Sequence, residues 1–277
     1  MEKLLKICRK INAFGVAAGV LAFAGHICSM PLVIRQVKIK TPNLPKELIG
    51  LRILHISDLH ANNGRAMLDG DELAALDFDL VALTGDIIQN NAKQFLSYSS
   101  LIKKLTKKAP VFFVDGNHDN RDYRALRRLI ISMGIINVAK SSKFFRIKNR
   151  YVCITGFSDF SLPLKIRGDY KREIRKIKKT NDFNIILAHQ PQIFSSLEKA
   201  RVNSLVLAGH THAGHVRLPP LPTLIAPGQG FLPKYGRGLY IERKGKLQMF
   251  ISAGVGRSTF FLKTFNPREI ALLELCK

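Results

Sequence analysis

The sequence predicts an α/β fold preceded by an N-terminal membrane-associated helix. Three observations carry that expectation. Short, near-continuous apolar runs recur along residues 48–277, helix-period segments lie between them, and an uncharged apolar stretch precedes both. Alternation of buried strands with amphipathic helices is the pattern of a layered α/β domain.

The N-terminal part, residues 1–47, reads as a membrane-associated helix and linker. Lys3, Lys6, Arg9 and Lys10 come first, and no charge then appears from Ile11 to Ile34. Ala13–Gly25 is wholly apolar or small, but a spanning helix needs about 20 apolar residues. The run reaches that length only by including Asn12, His26, Ser29 and Pro31. A single anchor, a helix lying in the interface and a cleaved signal all fit the basic start. Gly25-His26-Ile27-Cys28 is a poor small-x-small cleavage site, which favours attachment without cleavage. Positive-inside logic places the N-terminus in the cytosol and would put the domain of a true span outside. The basic body and the unpaired cysteines favour instead a domain on the cytoplasmic face of the inner or plasma membrane. Thr41–Lys46 (TPNLPK) reads as the linker.

From residue 48 the apolar runs end abruptly in small and polar residues. Leu51–Ser57 runs into Asp58, Asp79–Thr84 into Gly85-Asp86, and Val111–Val114 into Asp115-Gly116-Asn117. Asn184–Ala188 runs into His189, and Ser204–Ala208 into Gly209-His210. Apolar runs of this length read as strands buried on both faces. Gly70–Leu76, Ala92–Lys108 and Asp122–Met133 show the i, i+3, i+4 spacing of helices. In such folds a site forms where the carboxyl ends of the strands meet the loops.

Composition narrows the function. The chain has 277 residues, 46% hydrophobic, which excludes a disordered chain, and its glycine is not periodic as in collagen. Cys8, Cys28, Cys153 and Cys276 form no CxxC pair, so neither a disulfide framework nor a structural zinc site is expected. The net charge of +24 draws the chain to a polyanion, either nucleic acid or an anionic membrane lipid surface.

The strand-end residues, in order, are Asp58-x-His60, Gly85-Asp86, Gly116-Asn117-His118-Asp119, His189 and Gly209-His210-Thr211-His212. They offer oxygen and nitrogen donors without thiolate, a set that suits Mn²⁺, Fe or Zn²⁺. On an extended segment, residues i and i+2 point the same way, so Asp58 with His60, and His210 with His212, can grip one ion. Glycines at 85, 116 and 209 let the chain turn where ligands converge. Seven candidate ligands are too many for one ion and suit two that share a carboxylate. Two cations about 4 Å apart lower the pKa of a bridging water and neutralise phosphate oxygens.

These motifs, DLH, GD, GNHD, a lone His and GHTH, resemble those of the calcineurin-like metallophosphoesterase superfamily from about Leu51 to Leu275. Gly209–Pro219, Pro233–Gly238 and Ile251–Gly256 resemble its branch of small membrane-associated phosphodiesterases, which includes UDP-diacylglucosamine pyrophosphatases of lipid A synthesis. The resemblance implies a β-sandwich flanked by helices (α/β/β/α) and makes residues 48–277 the metallophosphoesterase domain. It also implies that Asp58, His60 and His212 hold one metal, that Asn117, His189 and His210 hold the second, and that Asp86 bridges them. His118 would protonate the leaving oxygen and Asp119 would help orient it. Two divalent metal ions are implied, with Mn²⁺ favoured. This chain departs from the usual GHTHGGQ at Ala213 and His215. Ala213 must avoid positive φ or carry strain, and His215 is expected behind the ligands.

Other polar residues carry less. His55, on the first strand, reads as structural. Asp159, in GFSDF, is either a site contact or a loop cap. Asn62, Asn63, Arg65, Asn120 and Arg121 are either phosphate contacts or exposed loop polarity. Lys165–Lys179, with Ile166, Tyr170, Ile174 and Ile177 between its basic residues, fits an amphipathic helix suited to anionic lipid.

The expected function is a two-metal phosphodiesterase or pyrophosphatase at a membrane surface, acting on a phosphorylated, lipid-linked substrate such as UDP-2,3-diacylglucosamine. The alternative is a nuclease or cyclic-nucleotide phosphodiesterase. The charge favours it, whereas 8% aromatics without Trp leave few stacking platforms. A binding module without catalysis is disfavoured because no ligand is missing.

Overall fold

The structure is a computed structural model describing residues 31–61, 68–147, 149–159, 174, 175, 177, 183–214, 216, 217, 223–256 and 267–277. The described strands are β1 (Leu32–Lys40), β2 (Arg52–Ile56), β3 (Leu80–Thr84), β4 (Val111–Val114), β5 (Ile136–Asn137), β6 (Ser141–Ile147), β7 (Arg150–Phe157) and β8 (Asn184–Ala188). They continue with β9 (Ser204–Ala208), β10 (Val216–Arg217), β11 (Thr223–Ala226), β12 (Gly230–Phe231), β13 (Gly238–Ile241), β14 (Leu247–Ile251) and β15 (Arg268–Cys276). One six-stranded sheet has the order β1-β15-β2-β3-β4-β5 and a second has β13-β14-β9-β8-β7-β6, while β10-β11-β12 form a small third sheet. Strands β2 to β5 are mutually parallel, as are β7, β8, β9 and β14.

The unbroken apolar runs follow from burial on both faces. In β3, Leu80 and Ala82 face the core between the two sheets, and Val81 and Leu83 face the helices. β8 divides likewise, with Ile185 and Leu187 between the sheets and Ile186 and Ala188 on the outer face. The outer helices are α1 (Gly70–Ala75), α2 (Ser99–Lys108) and α3 (Tyr123–Ser132) over the first sheet, and α4 (Ile193–Ala200) over the second. Leu73, Leu101, Leu105, Leu126 and Ile130 fill the first outer core, and Ile193, Phe194 and Leu197 the second. The result is the helix–sheet–sheet–helix layering expected of the chain. Ala92–Tyr98, expected as one helix with α2, is a 3-10 segment in which Gln94 Oε1 takes the amides of Asn90 and Asn91.

Residues 1–30 lie outside the described residues, and with them the expected membrane-associated helix. Among the described residues no helix is long and apolar enough to cross a membrane. The sheet itself begins upstream of the expected boundary between residues 47 and 48. β1 pairs in parallel with β15 along nine residues, and Ile39 lies in the core between the sheets. The linker Thr41–Lys46 also packs. Thr41 donates to Gln248 Oε1 at 2.7 Å, and Leu44 is buried. Alternation of apolar and basic residues in β1 concealed a half-buried strand behind the uncharged run before it.

Of the expected lipid-facing helix over Lys165–Lys179, the described residues are Ile174, Arg175 and Ile177. Ile177 is buried in the outer core of the second sheet and Ile174 packs against it. Those two apolar side chains therefore face the protein, while Arg175 is exposed.

Candidate metal centre

The carboxyl ends of β2, β3, β4, β8 and β9 meet at one place, and backbone bonds lock the following loops together. Asp58 N donates to Gly85 O at 3.0 Å, His60 N to Asp86 O at 2.9 Å, and Gly209 N to His189 O at 3.0 Å. Asp58, His60, Asp86, His210 and His212 have φ of 51°, 44°, 51°, 70° and 50°. Left-handed non-glycine backbone costs of order 1–3 kcal/mol per residue and persists where the surroundings over-determine it. Asp58 and His60 thus reach a common point through left-handed turns rather than along an extended segment, whereas His210 and His212, expected to grip one ion, turn to different sides, His210 toward His189 and His212 toward His60.

Three ligand groups result: Asp58, His60 and His212; His60, Asp86 and His118; and Asp86, His189 and His210. Within each group the ligand atoms lie within 4.8 Å of one another. His212 Nε2 is 3.5 Å from Asp58 Oδ1 and 3.1 Å from His60 Nε2. His189 Nε2 is 3.3 Å from Asp86 Oδ2 and 3.2 Å from His210 Nδ1. Asp86 Oδ2 is 3.8 Å from His60 Nε2, so one carboxylate serves both sides. Asn117 stands exposed in the adjoining turn, beside His118, whose amide donates to Asp86 Oδ1 at 2.7 Å.

His189 Nδ1 lies 2.8 Å from the carbonyl of Thr84. A carbonyl only accepts, so Nδ1 carries hydrogen and Nε2 faces the site. Burial works to lower the His189 pKa, but the Asp86 carboxylate raises it well above the ordinary value. Burial likewise opposes ionisation of Asp86, and His189 outweighs it, holding the carboxyl below its usual range. Burial raises Asp58, against the pull of His189. Burial, reinforced by repulsion from His189, drives His210 down to about 3 and leaves it neutral. The neutral His210 imidazole, the His189 Nε2 that faces the site and the buried carboxylates around a shared Asp86 fit two divalent cations, one of which would take the place of the proton between Asp86 and His189.

The glycines act mainly through space. A Cβ at Gly209 would lie 1.9 Å from Ser57 Oγ and 2.3 Å from Asp58 Oδ2. One at Gly116 would lie 2.3 Å from Asp86 Oδ1. Of the three, Gly85 has a positive φ, +82°. Ala213 does adopt positive φ, 60°, and is fully buried. His215 lies outside the described residues, as do Asn62, Asn63 and Arg65.

Asp119 does not orient His118 as expected. Its Oδ1 takes the amides of Ile87 and Ile88 at 2.9 and 3.1 Å, and its Oδ2 takes that of Gly116 at 2.8 Å. It therefore staples the loop after β3 to the loop after β4. His118 is held instead by the carbonyl of Gln89, 3.2 Å from Nδ1, and its ring meets that of His60 edge-on with centroids 4.8 Å apart. Arg121 Nη1 donates to the same carbonyl at 2.9 Å and to Asn90 Oδ1 at 2.6 Å, so one amino group of Arg121 braces this loop. Asn120 Oδ1 is buried without a hydrogen-bond partner.

His55 is fully buried, with Nε2 2.8 Å from Thr84 Oγ1 and its ring against Phe250. Asp159 N donates to Asp115 Oδ2 at 2.9 Å, and burial raises the Asp159 carboxyl to about 6. The carbonyls of Thr84 and Gln89, and Ser57 Oγ at 2.6 Å from Asp58 Oδ2, were not anticipated. Carbonyl groups leave no trace in residue type; only Ser57, next to Asp58, offered a signal.

Residues 51–214 match the family described as calcineurin-like phosphoesterase. A metallophosphoesterase of Helicobacter pylori is 28% identical over 87% of this chain, and this chain spans 63% of that relative's length. A transmembrane protein with metallophosphoesterase domain from Danio rerio is 29% identical over 73% of this chain and 49% of its own. A crystal structure of a dimetal phosphatase from Danio rerio superposes with a TM-score of 0.45 at 11% identity, covering 74% of this chain and 88% of that one.

Proposed function

This chain belongs to the calcineurin-like phosphoesterase family, and on that premise we propose that it is a metal-dependent phosphohydrolase that cleaves phosphodiesters or pyrophosphates with two divalent cations. The observation that carries the reading is the position of Asp86, whose Oδ2 lies 3.8 Å from His60 Nε2 on the Asp58–His60–His212 side and 3.3 Å from His189 Nε2 on the other. Asp58, His60 and His212 would hold one cation, His189, His210 and Asn117 the other, with Asp86 common to both. Two such cations, when bound, supply a water of lowered pKa and neutralise phosphate oxygens. The remaining work falls to the protein. Nδ1 of His118 donates a hydrogen bond to the Gln89 carbonyl, so Nε2 is the other ring nitrogen, and with a second hydrogen on Nε2 the ring would deliver that proton to the leaving oxygen and keep the one on Nδ1. Asp119 keeps the two ligand-bearing loops in register.

The substrate is a phosphorylated, lipid-linked molecule, for which UDP-2,3-diacylglucosamine is the leading candidate, and the site works at a membrane surface on its cytoplasmic face. The net charge of +24, the uncharged stretch from Ile11 to Ile34 and the membrane-protein name of the Danio rerio relative support this. The test is hydrolysis by full-length protein with Mn²⁺. UDP-2,3-diacylglucosamine in mixed micelles is compared with bis(4-nitrophenyl) phosphate, with Asn117→Ala as the blank. Cleavage of the lipid far above the diester is expected. Cleavage of the diester alone discards the lipid substrate, and salt-sensitive cleavage of nucleic acid would replace it.

A further inference from the structure

Beside the metal centre, the small sheet turns an apolar face outward. Phe231 is 71% exposed and Leu232, the next residue, 60%; Ile225 is 39% exposed and pairs directly with Phe231 across β11 and β12. The turn between these strands abuts the site, because a Cβ added to Gly228 would lie 3.1 Å from His210 Nε2. Phe231 follows three residues later, so it sits within about 10 Å of the turn. The hairpin is braced, with Gln229 Nε2 donating to Tyr235 O at 2.6 Å and Tyr235 N to Gln229 Oε1 at 3.0 Å. Adjacent exposed Phe and Leu on an ordered tip cost solubility without a partner.

Charge identifies that partner. No Asp or Glu lies between Glu198 and Glu242, a stretch that contains Lys199, Arg201, Arg217, Lys234 and Arg237. Arg237 is taken up by Glu269, whereas Lys234, two residues after Leu232, is exposed, with its ammonium over the Tyr235 ring and 3.4 Å from Ser195 Oγ. An apolar tip followed by Lys234 on a chain of net charge +24 complements an anionic leaflet, which accepts aromatic and aliphatic side chains at its interface.

We propose that the β11–β12 hairpin, through Phe231, Leu232 and Ile225, docks on an anionic membrane leaflet and sets the mouth of the metal centre at the lipid surface. This deepens the phosphohydrolase reading and rests on it for the purpose of docking, though not for docking itself.

The chain has no Trp, so Phe231→Trp in the full-length protein gives a single reporter. Tyr151→Trp is the control. Tyr151 is 69% exposed at the amino end of β7, about 20 Å along the strand from the site end. Vesicles of phosphatidylcholine with and without phosphatidylglycerol, carrying brominated acyl chains, supply the quencher. Emission from position 231 should shift to the blue and lose at least half its intensity on the anionic vesicles only, with position 151 unchanged. Equal quenching at both positions, no quenching at 231, or a concentration-dependent blue shift without vesicles (a second copy covering the face) overturns the proposal. Leu232→Trp repeats the reading if the first variant folds poorly. Phe231→Ser with Leu232→Ser should keep turnover of bis(4-nitrophenyl) phosphate and lose at least about tenfold on vesicle-borne lipid diphosphate. Loss of quenching with turnover intact refutes docking alone, whereas absence of turnover in the wild type refutes the phosphohydrolase reading alone.

Discussion

His118 Nδ1 lies 3.2 Å from the carbonyl oxygen of Gln89, and Arg121 donates to that same oxygen. Hydrogen on Nδ1 leaves Nε2 as the nitrogen that exchanges a proton with the substrate, giving one when the ring carries hydrogen on both nitrogens, and the brace on Gln89 sets the aim of the ring. A positioned acid matters most when the leaving group is poor. His118→Gln should lower kcat by about 10²–10⁴ on a phenyl phosphodiester and much less on its 4-nitrophenyl counterpart. Arg121→Ala should reproduce that ordering with a smaller drop. Equal losses on both esters would assign both residues to folding or binding.

Gly209 leaves no room for a methyl group between Ser57 and Asp58. Gly209→Ala should therefore displace Asp58, abolish diester turnover and lower the bound metal. Gly134→Ala, where nothing lies within 4 Å of an added Cβ, should cost only the strain of its φ of +76°, about 1 kcal/mol, and leave metal content unchanged. Elemental analysis and thermal melts of the two variants make the comparison.

Ala213 carries left-handed strain with its methyl group buried. Glycine would relieve about 1 kcal/mol of strain and lose about 0.8 kcal/mol of methyl burial. Ala213→Gly should thus leave stability and turnover within about 1 kcal/mol of the wild type, whereas Ala213→Val, branched at Cβ, should destabilise by more than about 2 kcal/mol. Denaturant midpoints decide between these.

Burial lowers His55 from 6.5 to about 3. Between those values the unfolded chain binds a proton that the folded chain does not, so stability is complete above 6.5 and falls as pH drops toward 3. The slope is about 1.4 kcal/mol per pH unit for one such group. His55→Gln, whose amide can still meet Thr84 Oγ1, should flatten the stability profile between pH 6 and 4.5 by about that slope. An unchanged profile would mean that His55 protonates in the folded chain.

How much was legible in the sequence depends on which groups do the work. β3, β4, β8 and β9 announced themselves because both their faces are covered, and an apolar run then needs no alternation. β1 did not, since its basic residues alternate with apolar ones and it adjoins an uncharged stretch. The cluster of histidines and aspartates was legible because imidazole and carboxylate are side-chain chemistry that collects at strand ends. Their left-handed backbone was not, as it follows from bonds such as Asp58 N to Gly85 O between segments distant in sequence. The support of His118 was misassigned to Asp119 because adjacency suggested a carboxylate, whereas a main-chain carbonyl 29 residues away holds the ring. The hairpin beside His210 had no signal beyond Gly and Pro until its contact with the site was seen.

The most direct test is metal content against Asp86. Full-length protein dialysed against Mn²⁺ should hold two ions per chain, and Asp86→Asn should lose tight binding of both together with at least about a hundredfold of diester turnover. One ion per chain in the wild type, or two ions retained by Asp86→Asn with turnover intact, would contradict a centre built around a shared carboxylate.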